Sequence, residues 1–153
     1  MTARTWAAIG LAGLLAGIGD TLLPLAMHRV SVVRIYQSVA AGLLGRDAAV
    51  AGGLPTAALG MFLHFLIATT AAAVYFAASS RLKLLVEQPV ACGLAFGIAV
   101  YFFMKDVVVA LSAARPIRFT WTAMIGHALL VGLPIAIVAA RYHRGRSALE
   151  RPV

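Results

Sequence analysis

The sequence predicts an all-α integral membrane protein with four transmembrane helices and an amphipathic interfacial helix between spans 1 and 2. Apolar residues make up 62% of the 153 residues and charged residues 12%, whereas a soluble domain carries about 45–50% and roughly 25%. Four apolar stretches also reach the length of about 20 residues that a helix needs to cross a bilayer. The net charge of +8 is then the flanking charge of membrane helices and no sign of nucleic-acid binding.

The four predicted spans cover residues 6–27, 56–78, 89–113 and 120–140 of a single membrane domain, 1–153. The first follows Arg4 as a signal peptide would, but it is longer than the roughly 7–15 residues of a signal core and has no small-residue cleavage site after it. We therefore expect an uncleaved span. The alternating pattern of a membrane β-barrel is absent, which favours helices. The lone Cys92 allows neither an intrachain disulfide nor a cysteine-based metal site.

The long connection between the first two spans predicts a helix over residues 31–45. Ser31 is a good N-cap, and Gly45 is typical of a helix end. Apolar residues recur on one face at helical spacing, with Tyr36 among them, whereas Arg34 and Gln37 lie off that face. The pattern indicates an amphipathic helix that lies at the membrane interface or packs across the mouth of the bundle.

Basic residues near the span ends indicate the orientation. The face that holds both termini carries seven: Arg4, Arg81, Lys83, Arg141, Arg144, Arg146 and Arg151. The opposite face carries five: Arg29, Arg34, Arg46, Arg115 and Arg118. Because Lys and Arg are enriched in cytoplasmic loops, this bias predicts cytoplasmic termini, and it is small enough to leave inverted or dual insertion open.

Five ionisable residues interrupt the predicted spans, and together they form a candidate polar layer. They are Asp20, His64, Lys105, Asp106 and His127. Counted from the span ends, they all lie roughly 10–12 Å from the same membrane face, at about 1.5 Å per helical residue. Charged groups in hydrocarbon are costly and usually face the bundle interior or a cavity. We therefore expect this layer to point inward.

Stripes of small residues predict which helix faces pack closely. In the first span, glycines recur every three or four residues and lead to the carboxylate of Asp20, and the third span has a Gly-x-x-x-Gly pair. The glycines concerned are Gly10, Gly13, Gly17, Gly93 and Gly97. Such stripes allow close helix contact within one chain or between two copies of it. Self-association of the protein is therefore one hypothesis, besides its contact with the lipid bilayer and with another membrane protein.

Three interpretations of the polar layer stay open. The layer fixes helix register by pairing of Asp20 with Lys105 or a histidine; it binds a proton or another cation at Asp20; or His64 and His127 hold a b-type haem, or a metal ion together with Asp20. No nucleotide-binding loop, catalytic triad or metalloprotease motif is present, so we expect no enzymatic activity. The first interpretation is our prediction, and it makes the protein an accessory, assembly or interaction component without a cofactor. The second interpretation would make it a small proton- or cation-coupled transporter.

Three segments carry a family resemblance: 36–45, 52–53 and 58–65, the last of which contains His64. With them, residues 34–118 resemble the YagU-like group of small uncharacterised bacterial membrane proteins. The resemblance implies a four-span protein of the bacterial inner (cytoplasmic) membrane and no particular activity. Such sequences are expected to carry an amide where Lys105 and Asp106 stand here, so the charged pair departs from the pattern.

Overall fold

The computed structural model describes residues 2–28, 30–114, 116 and 118–149, and these residues contain helices and no strand. The helices are α1 (Ala3–His28), α2 (Val32–Leu44), α3 (Arg46–Ala51), α4 (Gly53–Ser79), α5 (Leu84–Glu87), α6 (Pro89–Phe102), α7 (Trp121–Gly126) and α8 (Leu133–Leu149). Helix α6 continues as a π-helical segment over Phe103–Val108, and a second π-helical segment, His127–Gly132, joins α7 to α8.

Four helices are long and apolar enough to cross a membrane, which confirms the predicted fold class. These candidate spans are Ala3–Met27, Gly53–Ser79, Pro89–Val108 and Trp121–Gly145. The predicted helix between the first two spans is present as α2. The end of the bundle where α1 begins is called the terminal face. The opposite end, where α2 and α3 lie, is called the α2 face.

The third span ends at Val108, five residues before the predicted end at 113. The chain turns after this point, and the backbone N–H of Ala113 donates to the carbonyl of Gly42 in α2, at 2.9 Å. The hydroxyl of Ser112 also accepts from the backbone N–H of Ala114. The segment after the span is therefore tied to α2 through its backbone, while the side chain of Leu111 stays 85% exposed.

The bundle core lies between α1, α4 and α8 and is built largely of small side chains. Its buried members are Ile9, Ala12, Ala16, Ala72, Tyr75, Phe76, Val131, Ile135, Ala136 and Ala139. Helix α6 packs on the other side of α8 and of the π-helical segment before it, while α4 packs on α1 and α2. The ring of spans stays open between α4 and α6, where an apolar groove of about 560 Å³ runs along the two helices.

Helix α2 begins as the sequence predicts, because the Ser31 hydroxyl accepts from the backbone N–H of Arg34 at 3.4 Å. It ends at Gly45, whose φ of 76° lies in the left-handed region that favours glycine. One expectation about its faces is wrong: Gln37 is buried, with 5% exposure. Its amide donates to the carbonyls of Val50 and Gly53, and so it holds α2 against the start of α4.

Candidate functional site

A polar cavity of about 300 Å³ lies near the α2 face, between α1, α2, α4 and α7. Three of the five predicted layer residues line it, namely Asp20, His64 and His127. The hydroxyl residues that share the lining are Ser38, Thr120 and Thr122. Apolar side chains of α1 and α2 complete the wall. A cavity of this size is at the lower end of the range for small-molecule sites.

The carboxylate of Asp20 faces His127 across this cavity. Its Oδ1 lies 3.5 Å from Nδ1 of His127, and the two side chains are 26% and 19% exposed. Nδ1 of His127 is also 3.0 Å from the carbonyl oxygen of Ala123. Because a carbonyl only accepts hydrogen bonds, this geometry assigns the hydrogen to Nδ1 and leaves Nε2 as the basic nitrogen of the neutral ring.

His64 is held by the backbone of α1. Its Nε2 lies 2.9 Å from the carbonyl oxygen of Gly17 and 3.3 Å from the hydroxyl of Thr21. The Thr21 hydroxyl donates to the same carbonyl at 2.8 Å and lies 3.3 Å from the hydroxyl of Tyr36 in α2. The result is a network that joins α1, α2 and α4 beside the cavity. By the same reasoning as for His127, Nε2 of His64 carries the hydrogen.

The close approach of α1 and α4 explains why His64 can reach the α1 backbone. A Cβ on Gly13 would lie 2.5 Å from the Thr69 hydroxyl, and one on Gly17 would lie 2.6 Å from the Phe65 ring. Both glycines are therefore used in packing within one chain. Gly10 belongs to the same predicted stripe, but a Cβ there would meet open space.

Glycines of the third span position His127 in a similar way. A Cβ on Gly97 would lie 2.6 Å from Cα of Ala128, and one on Gly93 would lie 2.8 Å from Cβ of Ala136. The ring of Tyr101 also packs edge-on against the imidazole of His127, with 5.4 Å between the centroids. Helix α6 thus packs against the fourth span at His127, where the π-helical segment of the fourth span begins. Such π-helical turns are frequent at functional sites.

The structure does not bring Lys105 and Asp106 to the cavity. The two side chains form an ion pair with each other, and that of Asp106 is 53% exposed. Both residues lie in the last turn of the third span, because that span ends at Val108. The charges of the two neighbours therefore compensate each other locally, away from Asp20 and the histidines.

The two histidines line one cavity, but they donate hydrogen bonds to backbone carbonyls through different ring nitrogens. His127 uses Nδ1 on a carbonyl, as metal-binding histidines commonly do, whereas His64 uses Nε2. Across the described part of the chain, no three His, Cys, Asp or Glu side chains are grouped so that they could hold a metal ion. The haem hypothesis for His64 and His127 stays a prediction.

Several cavity and network residues were not singled out from the sequence. Thr21 follows Asp20 and lies one helical turn after Gly17, a register that could have placed its hydroxyl beside the layer. The sequence places Tyr36 on the apolar face of α2. Its ring is buried there, and its hydroxyl also enters the network. Thr120 caps α7 through the backbone N–H of Ala123.

Comparisons of the chain with protein-family models, with curated proteins and with solved structures return no significant match. The resemblance to YagU-like proteins therefore stays a prediction, and the geometry of the cavity is the basis for any functional assignment.

Proposed function

We propose that the protein is a small transporter of the bacterial inner membrane, coupled to a cation that in the simplest case is a proton, and that Asp20 binds this cation. One observation carries the proposal. The Asp20 carboxylate lines a cavity, and among the residues that the structure describes its only polar partner is Nδ1 of His127, at 3.5 Å. A carboxylate in an apolar span with so few protein donors is a candidate binding site for a cation.

The neighbouring imidazole gives this site a means of coupling. When His127 is protonated, its imidazolium forms an ion pair with the carboxylate of Asp20. A proton or another cation on the carboxylate neutralises the negative charge that attracts this imidazolium, 3.5 Å away. Occupation of Asp20 by a cation and protonation of His127 therefore disfavour each other. This competition is the property that an exchanger needs.

Proton flux into liposomes tests the proposal. The purified protein is reconstituted with an internal pH-sensitive dye, and a potassium diffusion potential drives proton entry. We expect flux from the wild type and at least a tenfold loss in Asp20→Asn, which removes the charge and keeps the size. Asp106→Asn is the matched control, because this aspartate is paired with Lys105 outside the cavity. Equal proton flux from the wild type and from Asp20→Asn would contradict the proposal.

An accessory or interaction component is the second candidate, and the open side of the bundle favours it. In the apolar stretch of the second span, and likewise of the third, only 17% of the residues are buried inside the protein. In the fourth span the buried share is 44%. The groove between α4 and α6 would admit a transmembrane helix of a partner protein. In this role the contact of Asp20 with His127 and the network around His64 would serve to fix helix register.

Site-specific photocross-linking in intact membranes distinguishes this candidate. A photoreactive residue at Val74, which lines the groove and is 57% exposed, should form an adduct with one defined protein. The matched position is Leu14 on α1, which is 48% exposed and lies outside the groove. If both positions form adducts with lipid and with no protein, the result argues against a partner in the groove.

A further inference from the structure

A second, smaller pocket lies in the crease between α2 and α3. It measures about 200 Å³, and its lining residues are Arg34, Gln37, Ser38, Ala41, Arg46 and Val50. The four from α2 recur at helical spacing on one face, and the two from α3 are one turn apart. The positive φ of Gly45 makes the sharp turn between the helices, and the Gln37 amide closes the crease by donating to the Val50 carbonyl. We call this pocket the arginine crease.

Among the described residues, no acidic side chain pairs with the two arginines of the arginine crease. Both guanidinium groups are exposed, and in the part of the chain that the structure describes neither forms an ion pair. Asp47, which follows Arg46, is itself exposed and unpaired there. Two guanidinium groups on the wall of one pocket supply the charge and the donors that suit a phosphate, which arginine binds through paired N–H groups.

The surroundings of the crease indicate where such a phosphate would come from. Exposed apolar side chains flank it on both helices: Leu43 is 66% exposed, Leu44 43% and Val50 38%. Leu54, at the start of α4, is 71% exposed. Arginines beside exposed apolar side chains are typical of the boundary between lipid headgroups and acyl chains. A phospholipid would satisfy both, with its phosphate on the guanidinium groups and its chains on the leucines.

We infer that the arginine crease, with Arg34 and Arg46 on its two walls, is a binding site for the headgroup phosphate of an anionic phospholipid. The bound lipid would fasten α2, which also covers the polar cavity through Ile35, Ser38 and Val39. Ser38 lines both the crease and the cavity, so the two sites are neighbours at the α2 face. The inference does not depend on the proposed transport function.

Native mass spectrometry of the full chain in mild detergent tests the site, with phosphatidylglycerol and phosphatidylcholine of the same acyl chains as probes. We expect selective retention of phosphatidylglycerol by the wild type. Arg34→Gln or Arg46→Gln alone should weaken it about fivefold. The double variant should weaken it about thirtyfold, which corresponds to about 2 kcal/mol. Arg81→Gln with Arg118→Gln removes the same charge elsewhere and should leave binding unchanged.

Three results would overturn the inference. The first is equal binding of the two lipids by the wild type, and the second is retention of phosphatidylglycerol by the crease double variant. The third is displacement of the lipid by inorganic phosphate at millimolar concentration, because the crease would then be a site for a free anion. Should the double variant fail to fold, the two single variants give the same decision, since each leaves one guanidinium in place.

Discussion

Oδ1 of Asp20 lies 3.5 Å from Nδ1 of His127, so the first and the last span of the bundle meet through a carboxylate and an imidazole. Neither residue is near the other in sequence, and each is only partly exposed. The contact lies in the wall of the polar cavity. This pair is the central feature of the candidate site.

The pair should be energetically coupled. In a double-mutant cycle with Asp20→Asn and His127→Asn, we expect an interaction energy of about 0.5–3 kcal/mol, the range for residues in direct contact. Unfolding equilibria in mixed micelles at neutral pH provide the free energies. The control cycle combines His127→Asn with Asp106→Asn, whose effects should add. Additivity in the first cycle would show that the two side chains do not interact.

Close packing of α1 on α4 predicts a difference between two glycines of the same stripe. Gly13→Ala would place a Cβ 2.6 Å from Cα of Thr69, so the helices must separate, at a cost of about 1–3 kcal/mol. Gly10→Ala meets open space and should change the free energy of unfolding little. The measurement is unfolding in mixed micelles, and similar values for both variants would argue against this packing.

The buried amide of Gln37 predicts a stability effect at the α2–α4 contact. Gln37→Leu removes two donors and leaves the carbonyls of Val50 and Gly53 without these partners. The Gly53 carbonyl keeps the Thr56 hydroxyl as a donor, so the cost is that of the lost hydrogen bonds, about 0.5–1.5 kcal/mol each, in thermal or detergent unfolding. Gln88→Leu serves as the control, because Gln88 is exposed. A neutral effect of Gln37→Leu would contradict the role assigned to the amide.

Orientation of the chain is a prediction of the charge bias. A C-terminal green fluorescent protein fusion should fluoresce, because this reporter folds on the cytoplasmic side, and a C-terminal alkaline phosphatase fusion should be inactive. Reporters inserted after Gly45, on the α2 face, should give the reverse pattern. Activity of both reporters at one position would indicate dual insertion, which the small excess of seven basic residues over five permits.

An optical spectrum decides the haem hypothesis for His64 and His127. If the hypothesis holds, the protein purified from haem-sufficient cells shows a Soret band, and His64→Ala or His127→Ala abolishes it, because bis-histidine ligation needs both rings. Met104 lies outside the polar cavity, so Met104→Ala should leave the Soret band intact. A spectrum without a Soret band refutes the hypothesis.

The sequence by itself determined the four apolar helices and the helix between the first two spans, but not the two π-helical segments or the early end of the third span. Apolar runs of spanning length predicted four helices, and Ser31 and Gly45 marked the two ends of α2. These are local properties, because hydropathy, caps and helix breakers act on the residues beside them. Candidate polar residues were also visible, since an ionisable side chain within an apolar run stands out without any knowledge of its neighbours.

Only the tertiary structure decided which polar residues meet. Helical spacing states which residues share a face, but not which helix lies opposite that face. Asp20, His64 and His127 come together because α1 packs between α4 and the fourth span, while Lys105 and Asp106 pair with each other where the third span ends early. The cavity likewise depends on the return of α2 over the bundle, a long-range arrangement that no local pattern encodes, whereas the arginine crease is formed within residues 34–50 by the turn at Gly45.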